Sequence, residues 1–138
     1  MCAQFTLKIK ATELSLKYGI KIPENLNDID ERFLPYKTAP VIVEQNEVQK
    51  LVAMQFSLVP SWSKDSKVKF ATHNARIETV TEKPTWKIPF DRFHCIIPMT
   101  SFYESAYEGP EAGHIIEFSQ SQDELLFAAG IFDVWSDT

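Results

Sequence analysis

HCIIPMTSFYESAYEGPEAGHIIEFSQSQDELLFAAGI, residues 94–131, is the stretch whose reading decides the fold. It holds four short runs rich in β-branched, aromatic and apolar residues: His94 to Met99, Phe102 to Tyr107, His114 to Ser119 and Leu125 to Ile131. Glu108-Gly-Pro-Glu-Ala-Gly separates the second run from the third, and Gln120-Ser-Gln-Asp-Glu the third from the fourth. Gly supplies positive φ, Pro fixes φ, and Asn, Asp and Ser bond their own backbone, so such clusters are turns between strands. Turns this short join antiparallel neighbours. Moving towards the N-terminus, Val41-Ile-Val-Glu, a polar Gln45-Asn46-Glu47 connection and Leu51 to Val59 predict two further strands, the second stopped by Pro60. A short helix is predicted from Thr12, whose hydroxyl would cap it, to Gly19. A second, over Thr85 to Phe93, is limited in length by Pro89. The expectation is an α+β fold: a mainly antiparallel sheet, barrel-like in its core, with few short helices.

At 138 residues the chain suits one domain over 1–138, since a chain of this size buries roughly two-thirds of its surface. Ten Phe, four Tyr and three Trp give that core aromatic bulk. No apolar run reaches the ~18 residues of a membrane span, and no charged leader precedes an apolar stretch at the N-terminus. A cytoplasmic monomer, not secreted and without a membrane partner, is expected. The net charge of −5 argues against nonspecific coating of nucleic acid. Its distribution says more. All fourteen Lys and Arg lie at or before Arg92, with eleven acids among them, whereas residues 93–138 hold eight acids and no base. A phosphate-binding face would have to be built from the 64–92 segment, and ordinary solvated charge is the competing use.

Several residues stand out for their chemistry. Cys2, once Met1 is removed, presents an α-amine and a thiol on adjacent carbons, with reference pKa values of about 8 and about 8.5. An aldehyde meeting that pair forms an imine with the nitrogen and is then captured by sulfur as a five-membered thiazolidine. A frayed terminus with an incidental Cys is the alternative. Thr72-His-Asn-Ala-Arg-Ile-Glu-Thr79 offers Asn74 to a sugar or base and the planar fork of Arg76 to a phosphate, unless Arg76 pairs with Glu78. Glu104, between aromatics, shares a strand face with Phe102 and not Tyr103, which would desolvate its carboxyl for acid–base work if that face points inward. Trp62 would stack on an unpaired base or pack in the core. The three histidines, His73, His94 and His114, lack the close spacing of a zinc site, and no metal or cofactor is expected. Cys95, in an apolar run, reads as buried packing beside a separate free Cys2.

In order along the chain, Met1-Cys2, Ala39-Pro40-Val41, Leu58-Val-Pro-Ser-Trp62, Asn74-Ala-Arg-Ile-Glu-Thr79 with Glu82-Lys-Pro84, Arg92 to Pro98 and Phe102-Tyr-Glu104 resemble the SOS-response-associated peptidase family. The resemblance implies a protein that processes abasic sites in single-stranded DNA, and that cleaves off the residue before its own cysteine. It implies that Cys2 bonds the ring-opened sugar, Asn74 holds that sugar, Glu104 moves protons at the Cys2 amine, Arg76 grips a phosphate, and Pro40 and Trp62 line the DNA path. Association with the nucleoid would follow when DNA is bound. A noncovalent single-stranded DNA module and a thiol hydrolase are the alternatives. The sequence departs from the family at Ala3-Gln4, where Gly-Arg is usual, and at Ser57, Ser101 and Ser105, where Gly, Gly and Trp are usual. The family's histidine, in a later His-x-Arg motif, is absent from these 138 residues, and a fragment is expected.

Overall fold

Alternation begins earlier than the sequence reading placed it. In the computed structural model, which describes residues 2–137 without the side chain of Asp123, the first strand is β1, Gln4–Ile9, with Phe5, Leu7 and Ile9 all buried. Helix α1, Ala11–Leu16, starts one residue before Thr12, which does not cap it. The leading amide of Ala11 instead donates to Asp28 Oδ1 at 2.9 Å, so the cap comes from a loop seventeen residues on. Gly19 does close the helix, at φ +66. There follow β2 (Ile29–Phe33), β3 (Thr38–Gln45), β4 (Val48–Gln55), α2 (Pro84–Arg92), β5 (His94–Met99), β6 (Ser101–Ser105), β7 (Ile115–Ser119), a 3₁₀ turn and β8 (Leu126–Ile131).

The second predicted strand shifts towards the N-terminus. It runs Val48–Gln55 because Asn46 and Glu47, both at positive φ, make a two-residue hairpin turn and put Gln45 opposite Val48. Pro89 lies inside α2, and Pro84 opens it, where no amide donor is needed.

The eight strands form two antiparallel sheets of four, ordered β2-β1-β6-β7 and β4-β3-β5-β8. Neither sheet closes on itself, so the barrel-like core resolves into a pair of open sheets. The chain steps from one to the other at Thr100, whose amide and hydroxyl both donate to the Thr6 carbonyl at 2.8 and 3.1 Å. One buried cluster draws Phe5, Leu7 and Phe33 from the first sheet, Ile42, Leu51 and Met99 from the second, and Leu14 from α1.

Within the first sheet, register sets one phenylalanine from each strand side by side. Phe5 pairs with Phe33 and Phe102, and Phe102 with Phe118. The outer ring pairs stack at 5.1 Å, and Phe56 meets Phe5 edge-on at 5.4 Å. Such cross-strand aromatic pairs fix register as well as burying area.

Cys95 is buried, as expected, opposite Gly130. A Cβ at Gly130 would stand 2.7 Å from its sulfur, so a larger residue there would have to displace the Cys95 side chain. Burial pushes the Cys95 thiol up to about 11 and keeps it neutral. No helix among the described residues is long and apolar enough to cross a membrane.

Candidate functional site

Cys2 sits two residues before β1 and packs half-buried against the core cluster. Its thiol donates to the Gln4 carbonyl at 3.0 Å. Burial pushes the thiol above its ordinary pKa, and the charge of Glu104 adds to the rise; hydrogen bonding with the backbone of Gln4 and Tyr103 opposes it. The thiol is therefore protonated near neutral pH.

Glu104 comes to this place through strand register. Phe102 lies opposite the buried Phe5, and Glu104 follows two residues later on the same face, opposite Ile116. The alternation expected for Phe102, Tyr103 and Glu104 is thus found. Glu104 is half-buried.

Asn74 arrives by a different route, a long irregular connection over 56–83 between β4 and α2. Its two sides are tied together where the amide of Leu58 donates to the Thr72 carbonyl at 3.2 Å. Residues 59–71 form the excursion beyond that neck, carrying Trp62, Lys64, Lys67 and Lys69, and Asn74 lies just inside it. There its side-chain amide donates a short hydrogen bond to the Cys2 carbonyl. Asn74 and Cys2, far apart in sequence, thereby meet, and the charge of Glu104 acts on the thiol beside them.

The neck carries strain. Ser57 has φ +104, a region in which a Cβ is costly, and among the described residues its buried hydroxyl has no hydrogen-bond partner, nor has that of Thr72. Strain and an unpaired buried hydroxyl each cost about 1–3 kcal/mol, against the greater chain entropy that glycine loses on folding. Ser57→Gly is expected to stabilise the protein by about 1–2 kcal/mol, a rise of several degrees in melting temperature. An unchanged or lower melting temperature would show that Ser57 is relaxed where it is.

The other candidates take no part in the Asn74–Cys2 bond. Pro40 is half-buried in β3, opposite Ala53. Arg76 is exposed, and no ion pair among the described residues joins it to Glu78. Trp62 is 58% exposed, which removes core packing as its use. It borders a cleft lined also by Ser61, Lys64 and Trp135, and by neither Cys2, Asn74 nor Glu104. Trp135 was not singled out from the sequence. It braces the excursion, its indole N–H donating to the Ser63 carbonyl at 2.8 Å, while the amide of Ser61 donates to Asp133 at 2.8 Å.

No described histidine bonds either thiol. His73 meets the Phe56 ring edge-on, His94 bonds the Phe90 carbonyl and His114 pairs with Glu111. Among the described residues no group of three His, Cys, Asp or Glu converges as a metal site would.

The sequence pattern of the SOS response associated peptidase (SRAP) family matches residues 1–138. Abasic site processing protein YoqW of Bacillus subtilis is 28% identical over 138 residues, covering 99% of this chain and 62% of the relative. Abasic site processing protein HMCES of Gallus gallus is 31% identical over 130 residues, covering 73% and 39%. This chain thus spans less than two-thirds of the length of these relatives. A crystal structure of a protein from Bacteroides thetaiotaomicron superposes with a TM-score of 0.76 at 23% identity, over 99% of this chain and 62% of that one. With its pattern matched from end to end and the same fold in a solved structure, the chain belongs to the SOS response associated peptidase family.

Proposed function

We propose that this protein processes abasic sites by capturing them covalently in single-stranded DNA through Cys2, after Met1 has been removed. The observation that carries the reading is the hydrogen bond from Asn74 to the Cys2 carbonyl with the Glu104 charge beside the thiol. The names of the relatives, abasic site processing proteins, point the same way.

The chemistry follows from the two nucleophiles of residue 2. Burial holds the thiol protonated, whereas a free α-amine near its reference pKa of about 8 is partly neutral at pH 7. Attack therefore begins at nitrogen. The amine condenses with the C1 aldehyde of the ring-opened deoxyribose and releases one water, leaving an imine. The thiol then adds across the C=N bond: sulfur bonds the carbon, the thiol proton ends on nitrogen, and the ring is a thiazolidine. Glu104 is suited to carry the protons between these groups, and Asn74 to keep the chain end still while they move. Arg76, Pro40 and Trp62 are the positions we assign to the DNA strand, Arg76 to a phosphate and Trp62 to a base. The peptidase reading is the removal of Met1 by the protein itself.

A denaturing gel tests the proposal. Protein whose N-terminus is shown by mass to begin at Cys2 is expected to shift with abasic single-stranded DNA, and Cys2→Ala to give no shifted band. Equal bands from the two proteins would end the covalent reading. Salt-sensitive binding without any covalent product would leave a noncovalent DNA module in its place.

A further inference from the structure

Trp62 and Trp135, far apart in sequence, line one open cleft of about 290 Å³ together with Lys64 and Asp137. Backbone ties on both sides of Trp62 build it. The Ser63 amide donates to the Pro60 carbonyl at 2.9 Å, closing a turn around Trp62. The Ser61 amide donates to Asp133, and the Ser63 carbonyl accepts from the Trp135 indole, both at 2.8 Å. The backbone under Trp62 is therefore fixed from two directions, while its side chain is left to solvent. A single exposed aromatic is ordinary; this one shares a concave surface with a second indole and a lysine.

Among the described residues no ion pair joins Lys64 to Asp137, so a cation and an acceptor are both left to whatever enters. A plain anion meets the carboxylate, a plain cation meets the ammonium, and an alkyl chain strips water from both. An unpaired nucleotide suits every wall. Its base offers a flat face to an indole, its phosphate a charge to Lys64, and an exocyclic amine a donor to Asp137. The volume falls just under the ~300–1,000 Å³ of drug-sized sites, enough for one base and not for a stack of several. An abasic nucleotide has no base to put there, and neither Cys2, Asn74 nor Glu104 lines the cleft. The occupant is thus an intact nucleotide elsewhere on the strand.

We propose that the cleft between Trp62 and Trp135 binds one unpaired base of an undamaged nucleotide, with Lys64 on its phosphate. Trp135 then has two uses, bracing the excursion through its N–H and offering its ring to the base. The inference deepens the DNA reading and rests on it for a single strand being the ligand. The cleft and Asn74 belong to one connection, closed between them by the bond from Leu58 to Thr72. A strand held at the cleft is thereby held by the same connection that moors Cys2.

The test uses strands without an aldehyde, so binding is read apart from capture at Cys2. Fluorescence anisotropy compares a labelled oligo-dC with a strand of equal length made of tetrahydrofuran spacers, which keeps the phosphates and lacks the bases. The parent is expected to bind the dC strand about ten-fold more tightly, the size of one stacked base. Trp62→Leu, at an exposed position that keeps a folded variant in hand, and Trp135→Leu are each expected to cut that ratio to about two. Trp135→Phe keeps a ring and loses the bond to Ser63, and is expected to retain a ratio of about five or more. Lys64→Gln is expected to weaken both strands alike and to lower the salt slope by about 0.7. Equal binding of the two strands by the parent, an undiminished ratio in Trp62→Leu or Trp135→Leu, or a loss as full in Trp135→Phe as in Trp135→Leu would overturn the proposal. An intact ratio without any covalent adduct to abasic DNA would sink the Cys2 reading alone, so the two fail separately.

Discussion

Asn74→Asp is expected to slow covalent capture of an abasic strand about a hundred-fold while leaving the melting temperature within a few degrees of the parent. The native side chain donates to the Cys2 carbonyl. An ionised aspartate has no proton to give and sets acceptor against acceptor, so the chain end is pushed from its place. Displacing a reacting group by about 1 Å costs on the order of 10²-fold in rate. The new charge also joins Glu104 in disfavouring the thiolate, although on the imine-first route that matters less than the lost position. Asn74 belongs to an irregular connection outside the core cluster, so the fold does not depend on it. Single-turnover adduct formation, with thermal unfolding measured alongside, separates the effects. A rate within about three-fold of the parent would remove Asn74 from the site.

Phe5→Ala carries the largest expected loss of stability, about 3–5 kcal/mol. Phe5 is 2% exposed and is one of the two inner members of the row of four rings, touching Phe33 and Phe56 directly. Its removal opens a cavity between neighbours held on three other segments, which cannot all collapse into it. Against a total of about 5–15 kcal/mol for a domain, that is a third or more of the margin. A large fall in urea midpoint with an unchanged slope is the expected signature. A change below about 1 kcal/mol would mean that the row is packed more loosely than its ring distances imply.

How much of this was legible in the sequence differs from element to element. β5 was read at its observed bounds, and the strands after it to within two residues, because turn chemistry is local and Gly109, Gly113 and the 120–124 cluster announce it. β1 and β2 went unread. β2 holds Asp30, Glu31 and Arg32 in succession and becomes a strand only through pairing with β1, a contact that no local window contains. α1 was found but its cap was misassigned, since Asp28 reaches it from outside the helix. Cys2, Asn74 and Glu104 were each visible as reactive or polar residues in suggestive surroundings. Their meeting was not, because it depends on the Leu58–Thr72 closure and on strand register.

The bond that Asn74 makes ends on the carbonyl of residue 2 and not on its sulfur. The mooring is thus blind to what residue 2 carries. A serine or alanine there would be delivered to the same spot beside Glu104, much as a chuck grips any bit of the right shank. The protein separates presentation from reactivity, and the side chain at its second position can be exchanged to ask what chemistry the site performs without rebuilding the holder.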